Sequence, residues 1–222
     1  MAVRGFLYAL AEIQFINLRD FSDDMEKLIK ESTEVQIQHL EELSQALRSN
    51  QDKEEFWEYN LDRVHQLKDD YPNILRSSLL VSCMSNMEKV LVGIYEDLKL
   101  RDLNLKSLRN KSFSNESTIR KVFLAIGEAI HLHNVYNMPE WDRLLFYNEL
   151  RNRVVHDTGK VYPEDYPDLS EKIKNSELVS LSNHYDLVFV EDFAKQVNFD
   201  CTAILKRLLE EINNYFKNQA SS

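Results

Sequence analysis

Only four glycines and four prolines punctuate the 222 residues of this chain, and that scarcity limits what it can fold into. Tight turns and sheet corners draw on glycine and proline for backbone angles other residues avoid. A chain this poor in them, and rich in Leu, Glu, Lys and Asn, is expected to run in long helices with few sharp reversals. The fold class read from sequence is therefore mainly all-α. At 43% hydrophobic and 29% charged there is enough apolar material for a buried core.

The apolar spacing divides the chain. Residues 1–50 read as helical, with a break expected at Asp20-Phe21-Ser22, where Ser22 could cap a second helix whose apolar face holds Met25, Leu28, Ile29, Val35, Leu40, Leu43 and Leu47. A further helix is expected from Asp52 through Phe56, Trp57, Leu61, Val64 and Leu67, ended by Tyr71-Pro72. Asn73 to Leu100 reads as a long, largely buried helix. Asn115 or Ser114 is the expected cap of a helix carrying Ile119, Val122, Phe123, Ile126 and Ile130, which stops near Asn134 to Pro139.

Pro139 suits the first turn of the next helix, which runs through Trp141, Leu144, Leu145 and Leu150, and Gly159 suits the position just past its end. Pro163 and Pro167 mark an irregular connector. Leu178 to Leu181 and Leu187 to Val190 then read as two short strands of a hairpin, and Glu191 to Phe216 as a last amphipathic helix. The expected division is an N-terminal helical extension over 1–70, a helical domain over 71–217 and a disordered tail over 218–222.

The net charge of -10 opposes broad, non-specific attachment to nucleic acid or anionic membrane, since neutralising phosphates takes a basic face. One stretch departs from this. From Lys99 to Lys121, seven cations (Lys99, Arg101, Lys106, Arg109, Lys111, Arg120, Lys121) face two carboxylates (Asp102, Glu116), a local charge of +5, around an Asn/Ser-rich segment expected to be mobile. It reads either as a nucleic-acid contact or as a solvated connector. Cys83 and Cys201 stand far apart in apolar helical sequence, without CxxC or zinc-ligand spacing, and read as buried free thiols. His131-x-His133 would splay across a helix with no third ligand. No run reaches the ~18 apolar residues of a membrane span, so a cytoplasmic protein is expected.

The chemistry-bearing segment is Arg151-Asn152-Arg153-Val154-Val155-His156-Asp157, at the end of the Pro139 helix. Metal-free RNA cleavage needs a base for the attacking 2′-hydroxyl, an acid for the leaving 5′-oxygen and a cation for the phosphorane oxygens. Histidine, with an unperturbed pKa of about 6.5, can serve either proton step. Arginine stays charged and binds two phosphate oxygens at once. His156 is read as general acid or base, Arg151 as the phosphate clamp and Asn152 as a positioning hydrogen-bonder; Glu88, Arg153 and Asp157 are auxiliary candidates, and Arg143, Arg101, Lys106, Arg109, Lys111, Arg120 and Lys121 candidates for RNA contact. The competing reading is structural: the arginines pair with Glu149 or Glu88, and His156 caps the helix C-terminus through its dipole. Five residues apart on a regular helix, Arg151 and His156 diverge by about 140°.

Arg151-Asn152-x3-His156 resembles the signature of the HEPN superfamily, and Ser82-Cys83-Met84-Ser85-Asn86-Met87-Glu88 is similar to the small-then-Glu pattern of an earlier family helix. The resemblance spans roughly Tyr71 to Phe216; the first 70 residues find no counterpart. It implies a helical bundle, in some branches with a short hairpin before the last helix. It further implies a homodimer whose composite site uses Arg and His of both subunits to cut RNA without a metal or other cofactor, often as a toxin or phage-defence effector under an antitoxin or regulatory protein. A non-catalytic helical scaffold or interaction module is the alternative.

Overall fold

The computed structural model describes residues 5–101, 103–132 and 134–220. Asp102 and His133, with the basic-island count and the histidine pair that include them, therefore lie partly outside the described residues. In chain order the elements are α1 (Gly5–Gln45), α2 (Asn50–His65), a π-helical turn (Gln66–Asp70), α3 (Tyr71–Leu100), α4 (Thr118–Ile130), α5 (Pro139–His156), α6 (Pro167–Lys174), the strands β1 (Val179–Leu181) and β2 (Leu187–Phe189), and α7 (Phe193–Ala220). The architecture is mainly all-α, with the two-stranded hairpin just before the last helix. No helix among the described residues is long and apolar enough to cross a membrane.

α1 corrects the expected break at Asp20-Phe21-Ser22. It is one helix of 41 residues, about 62 Å at 1.5 Å per residue. Ser22 does not cap; it is buried on the inner face, in step with Ala11, Phe15 and the half-buried Leu18 and Met25. This 3-4 spacing runs unbroken through Ser22, and no glycine or proline interrupts it, so packing carries the helix past the short polar residues. Tyr71-Pro72 likewise does not stop the chain. The π-turn closes with the Tyr71 amide donating to the Gln66 carbonyl, and Pro72 falls in the first turn of α3, where a missing N–H costs little.

α3 is the central helix and packs on α1, α4, α5 and α7. Leu80, Met84, Met87, Leu91, Ile94 and Leu98 line its buried side, opposite Leu144, Tyr147 and Leu150 of α5 and Val197, Cys201, Ile204, Leu208 and Ile212 of α7. Cys83 and Cys201 are buried free thiols. α4 begins at the N-cap Ser117, whose hydroxyl accepts from the Arg120 amide, not at Ser114 or Asn115. It adds Phe123 to an edge-to-face cluster with Trp141 and Tyr136 at 4.6 and 6.4 Å, worth about 0.5–1.5 kcal/mol per ring pair beyond burial.

The hairpin is fixed to both neighbours. Asn73 of α3 donates from Nδ2 to the Leu187 carbonyl (2.8 Å) and accepts from the Phe189 amide at Oδ1 (2.9 Å). Arg76 donates to the Phe189 carbonyl at 2.8 Å while gripping Glu26 of α1 at 2.6 and 2.8 Å. The expected irregular connector contains α6, and α7 continues to Ala220, past the assigned start of the tail, with 221–222 outside the described residues.

Candidate active site

The motif occupies the last turns of α5, which runs antiparallel to α3: Arg151 faces Glu88, and Val154 shares a cleft with Ile74 and Ser77 nearer the start of α3. The helix ends at His156. Thr158 and Gly159 take φ of 53° and 80°, the left-handed conformations that turn the chain away. The Gly159 carbonyl then accepts from the Leu187 amide and the Val161 amide donates to the Tyr185 carbonyl, both at 2.9 Å. The hairpin thus pins the chain that leaves the motif.

Arg151 lies on the inner side of α5. Its Nη1 donates to Asn152 Oδ1 at 3.1 Å, its Nη2 stands 3.7 Å from Glu88 Oε2, and its Nε is buried without a hydrogen-bond partner. An orphaned buried donor on a charged group is costly, so this guanidinium retains capacity for an acceptor. His156 is exposed and makes no hydrogen bond or ion pair among the described residues. Arg151 is mostly buried against α3 and His156 sits on the outer surface, in line with the helical offset of about 140°.

Arg153 takes another direction. Its Nη1 is 2.7 Å from Asp157 Oδ2, although neither atom attains hydrogen-bond geometry. Proximity and charge make this an ion pair, and the missing angle makes it a weak one. The guanidinium stacks over the Tyr166 ring at 4.1 Å. Asp157 therefore serves Arg153, while Glu149 pairs with Lys172 at 2.8 Å. Asn152 and Arg153 line a groove of about 350 Å³ completed by Tyr166, Pro167, Leu169 and Lys172.

The cations assigned to RNA contact are mostly engaged within the chain. Arg143 is clamped by Asp200 through two bonds of 2.7 Å and anchors α5 to α7. Arg101 pairs with Asp97 (2.9 Å), Lys106 with Glu128 (2.8 Å) and Arg120 with Glu116 (3.1 Å). Arg109, Lys111 and Lys121 make no ion pair among the described residues. Along α3, Lys99 stands 11 residues, about 16 Å, from Glu88, toward the opposite end of α5.

A second cleft, about 630 Å³, adjoins the motif on its other side. Val154, Thr158 and Gly159 form one wall, the π-turn a second and the hairpin a third; His65 and His184 both line it. His65 Nδ1 lies 2.8 Å from Asp69 Oδ2, and that hydrogen bond, helped by the charge of Asp70, raises the imidazole pKa above its ordinary value. Neither histidine is among the candidate site residues read from sequence. The i, i+4 spacing of His65 and Asp69 was the available signal; nothing local brings His184 to them. Among the described residues no three His, Cys, Asp or Glu side chains gather as metal ligands. Comparison with family models, curated proteins and solved structures finds no match.

Proposed function

We propose that this protein is a metal-independent endoribonuclease of HEPN type that acts as a homodimer, with Arg151 and His156 as its reacting pair. The observation that carries the reading is the state of Arg151: a mostly buried guanidinium with one hydrogen bond, a loose carboxylate at 3.7 Å and an unsatisfied Nε. In Arg143, by contrast, both Nε and Nη2 donate to a carboxylate. Phosphate oxygens would satisfy Arg151, and the exposed His156 on the same helix end would be the proton-transfer group.

Because Arg151 and His156 diverge around the helix, one chain does not present them together. A two-fold axis at the exposed end of α5, where Val155 is also exposed, would set the His156 of each subunit against the Arg151 of the other and supply separate acid and base histidines. Asn152 holds the Arg151 fork, and Arg153, paired with Asp157, lines the adjoining groove. RNA, a second copy and an antitoxin or regulatory protein are the partners of this reading, which places the protein in the cytoplasm as a toxin or defence effector.

One observation favours a second reading, a non-catalytic helical interaction module: Arg101, Lys106, Arg120 and Arg143 are internally paired, which leaves Arg109, Lys111 and Lys121 as the RNA-contact candidates without an ion pair among the described residues. The test is cleavage of total RNA in EDTA by wild-type protein, His156→Ala and Arg151→Ala, after circular dichroism and sedimentation establish equal folding and assembly. Cleavage by wild type alone is the expected result. Activity persisting in both variants would remove the site assignment, and intact RNA in every lane would favour the module.

A further inference from the structure

We infer that the outer face of α1 is a docking surface for a basic amphipathic helix of another protein. This is independent of the nuclease reading and concerns the segment for which the sequence offered no counterpart. The inner face of α1 is occupied by α3 and α7, and its C-terminal half by α2. Beside that seam runs a second stripe. Phe21, Leu28 and Val35, spaced by seven, are 50%, 57% and 67% exposed, and the places between them on the same line are taken by the exposed carboxylates Asp24 and Glu31. Residues at 21, 24, 28, 31 and 35 follow the 3-4 alternation that puts side chains in one row along a helix. The surface therefore alternates apolar and acidic over four turns.

Its charges remain available to a partner. Asp24 makes no ion pair among the described residues, and Glu31 has only a 3.8 Å pair with Lys27 between exposed side chains, which contributes little. The surroundings have the same sign. Residues 20–70 carry fifteen Asp and Glu against six Lys and Arg, a net of -9 in a chain whose total is -10. α2 has no buried residue, so the helical pair adds acidic surface without closing over the stripe.

The occupant follows from the pattern. A second copy is disfavoured: antiparallel pairing about Leu28 brings Asp24 toward Glu31 of the other chain, and parallel pairing sets each carboxylate against itself, so either arrangement juxtaposes like charges. Anionic surfaces and nucleic acid are repelled. A helix with Leu, Ile or Phe at heptad spacing and Lys or Arg between them meets every position: its apolar side chains cover Phe21, Leu28 and Val35, and its cations pair with Asp24 and Glu31.

The test uses a fluorescein-labelled synthetic peptide of three heptads, with Leu on one stripe and Lys interleaved, titrated with full-length protein and read by anisotropy. A scrambled peptide of identical composition lacks the stripe and isolates periodicity from charge. The protein variant Phe21→Gln/Leu28→Gln/Val35→Gln preserves net charge and alters only exposed positions. Both changes are expected to weaken binding by about tenfold or more, and Asp24→Asn/Glu31→Gln to weaken it and flatten its salt dependence. Equal affinity for the scrambled peptide, or undiminished binding by the triple variant, would overturn the proposal. Self-association of the wild type in sedimentation that vanishes in the triple variant would also overturn it, because a second copy would then be the occupant.

Discussion

Asp200 on α7, wholly buried, receives Arg143 of α5 through two parallel bonds of 2.7 Å, each carboxylate oxygen taking one guanidinium nitrogen. Tyr147 adds a phenol donor at 2.8 Å and Gln196 an amide donor at 2.9 Å, so four donors compensate one buried charge. This clamp fixes the face of α5 that presents the motif. The same environment raises the Tyr147 hydroxyl pKa, through burial first and the Asp200 bond second.

Arg143→Ala leaves that carboxylate buried with two neutral donors, and removing one member of such a pair costs about 3–5 kcal/mol. The lower end is expected here, because Tyr147 and Gln196 remain. Tyr147→Phe deletes a bond to a charged acceptor and should cost about 1.5–3 kcal/mol. Urea denaturation checks both. A change below about 0.5 kcal/mol in Arg143→Ala would show that the clamp is not structural.

Glu88 is the only carboxylate beside Arg151 in the described structure, 3.7 Å from Nη2, and so competes with phosphate for the guanidinium. Under the proposed function Glu88→Gln should tighten RNA binding, with the largest gain at low salt, where charge interactions are least screened. Filter binding to a non-cleavable 2′-deoxy oligonucleotide reads this directly. Weaker binding would instead make Glu88 a positioning residue that holds Arg151 in place.

How far sequence carried depended on the range of the interaction. The helical core was legible because the Leu80 to Leu98 and Val197 to Ile212 repeats are local and periodic. Ser22 and Pro72 misled because each is a local stop signal that packing overrides, in one case by burial on a continuous seam and in the other by a π-turn that puts the proline into a first turn. α6 escaped notice because its eight residues offer only Leu169 and Ile173 as buried anchors, too few for a period. The motif could be found as a string, and its neighbour Glu88 named, but not the engagement of Arg143 by Asp200 or the placing of His65 and His184 in one cleft. Both arrangements join segments that nothing short of the whole fold brings together.

The His65–Asp69 pair in the cleft beside Val154 and Thr158 gives a prediction in pH. Its hydrogen bond raises the imidazole pKa above the ordinary 6.5, with Asp70 adding to the effect. Because the folded value is the higher one, the pair's contribution is present at pH below the unfolded pKa and is lost as pH rises through the folded pKa. Asp69→Asn should move the His65 titration, followed by NMR of the imidazole Cε1 proton, down toward 6.5. A midpoint unmoved by that substitution would mean that the hydrogen bond does not form in solution.

The two thiols supply the opposite end of the scale. Burial pushes Cys83 up to about 12, against a smaller lowering from a hydrogen bond with Asn198, and raises Cys201 well above its usual range. In an unfolded chain both ionise at about 8.5, so between that pH and about 12 the unfolded state binds fewer protons than the native one and stability falls as pH rises. Native protein should resist a thiol reagent such as DTNB at pH 8 and react fully only in denaturant, since the thiolate is the nucleophile. Cys83→Ala should lose some stability at neutral pH by leaving a cavity, yet show a shallower decline in urea midpoint from pH 8.5 to 11 than wild type. Parallel declines in the two proteins would mean that the Cys83 thiol reaches solvent and ionises in the native state.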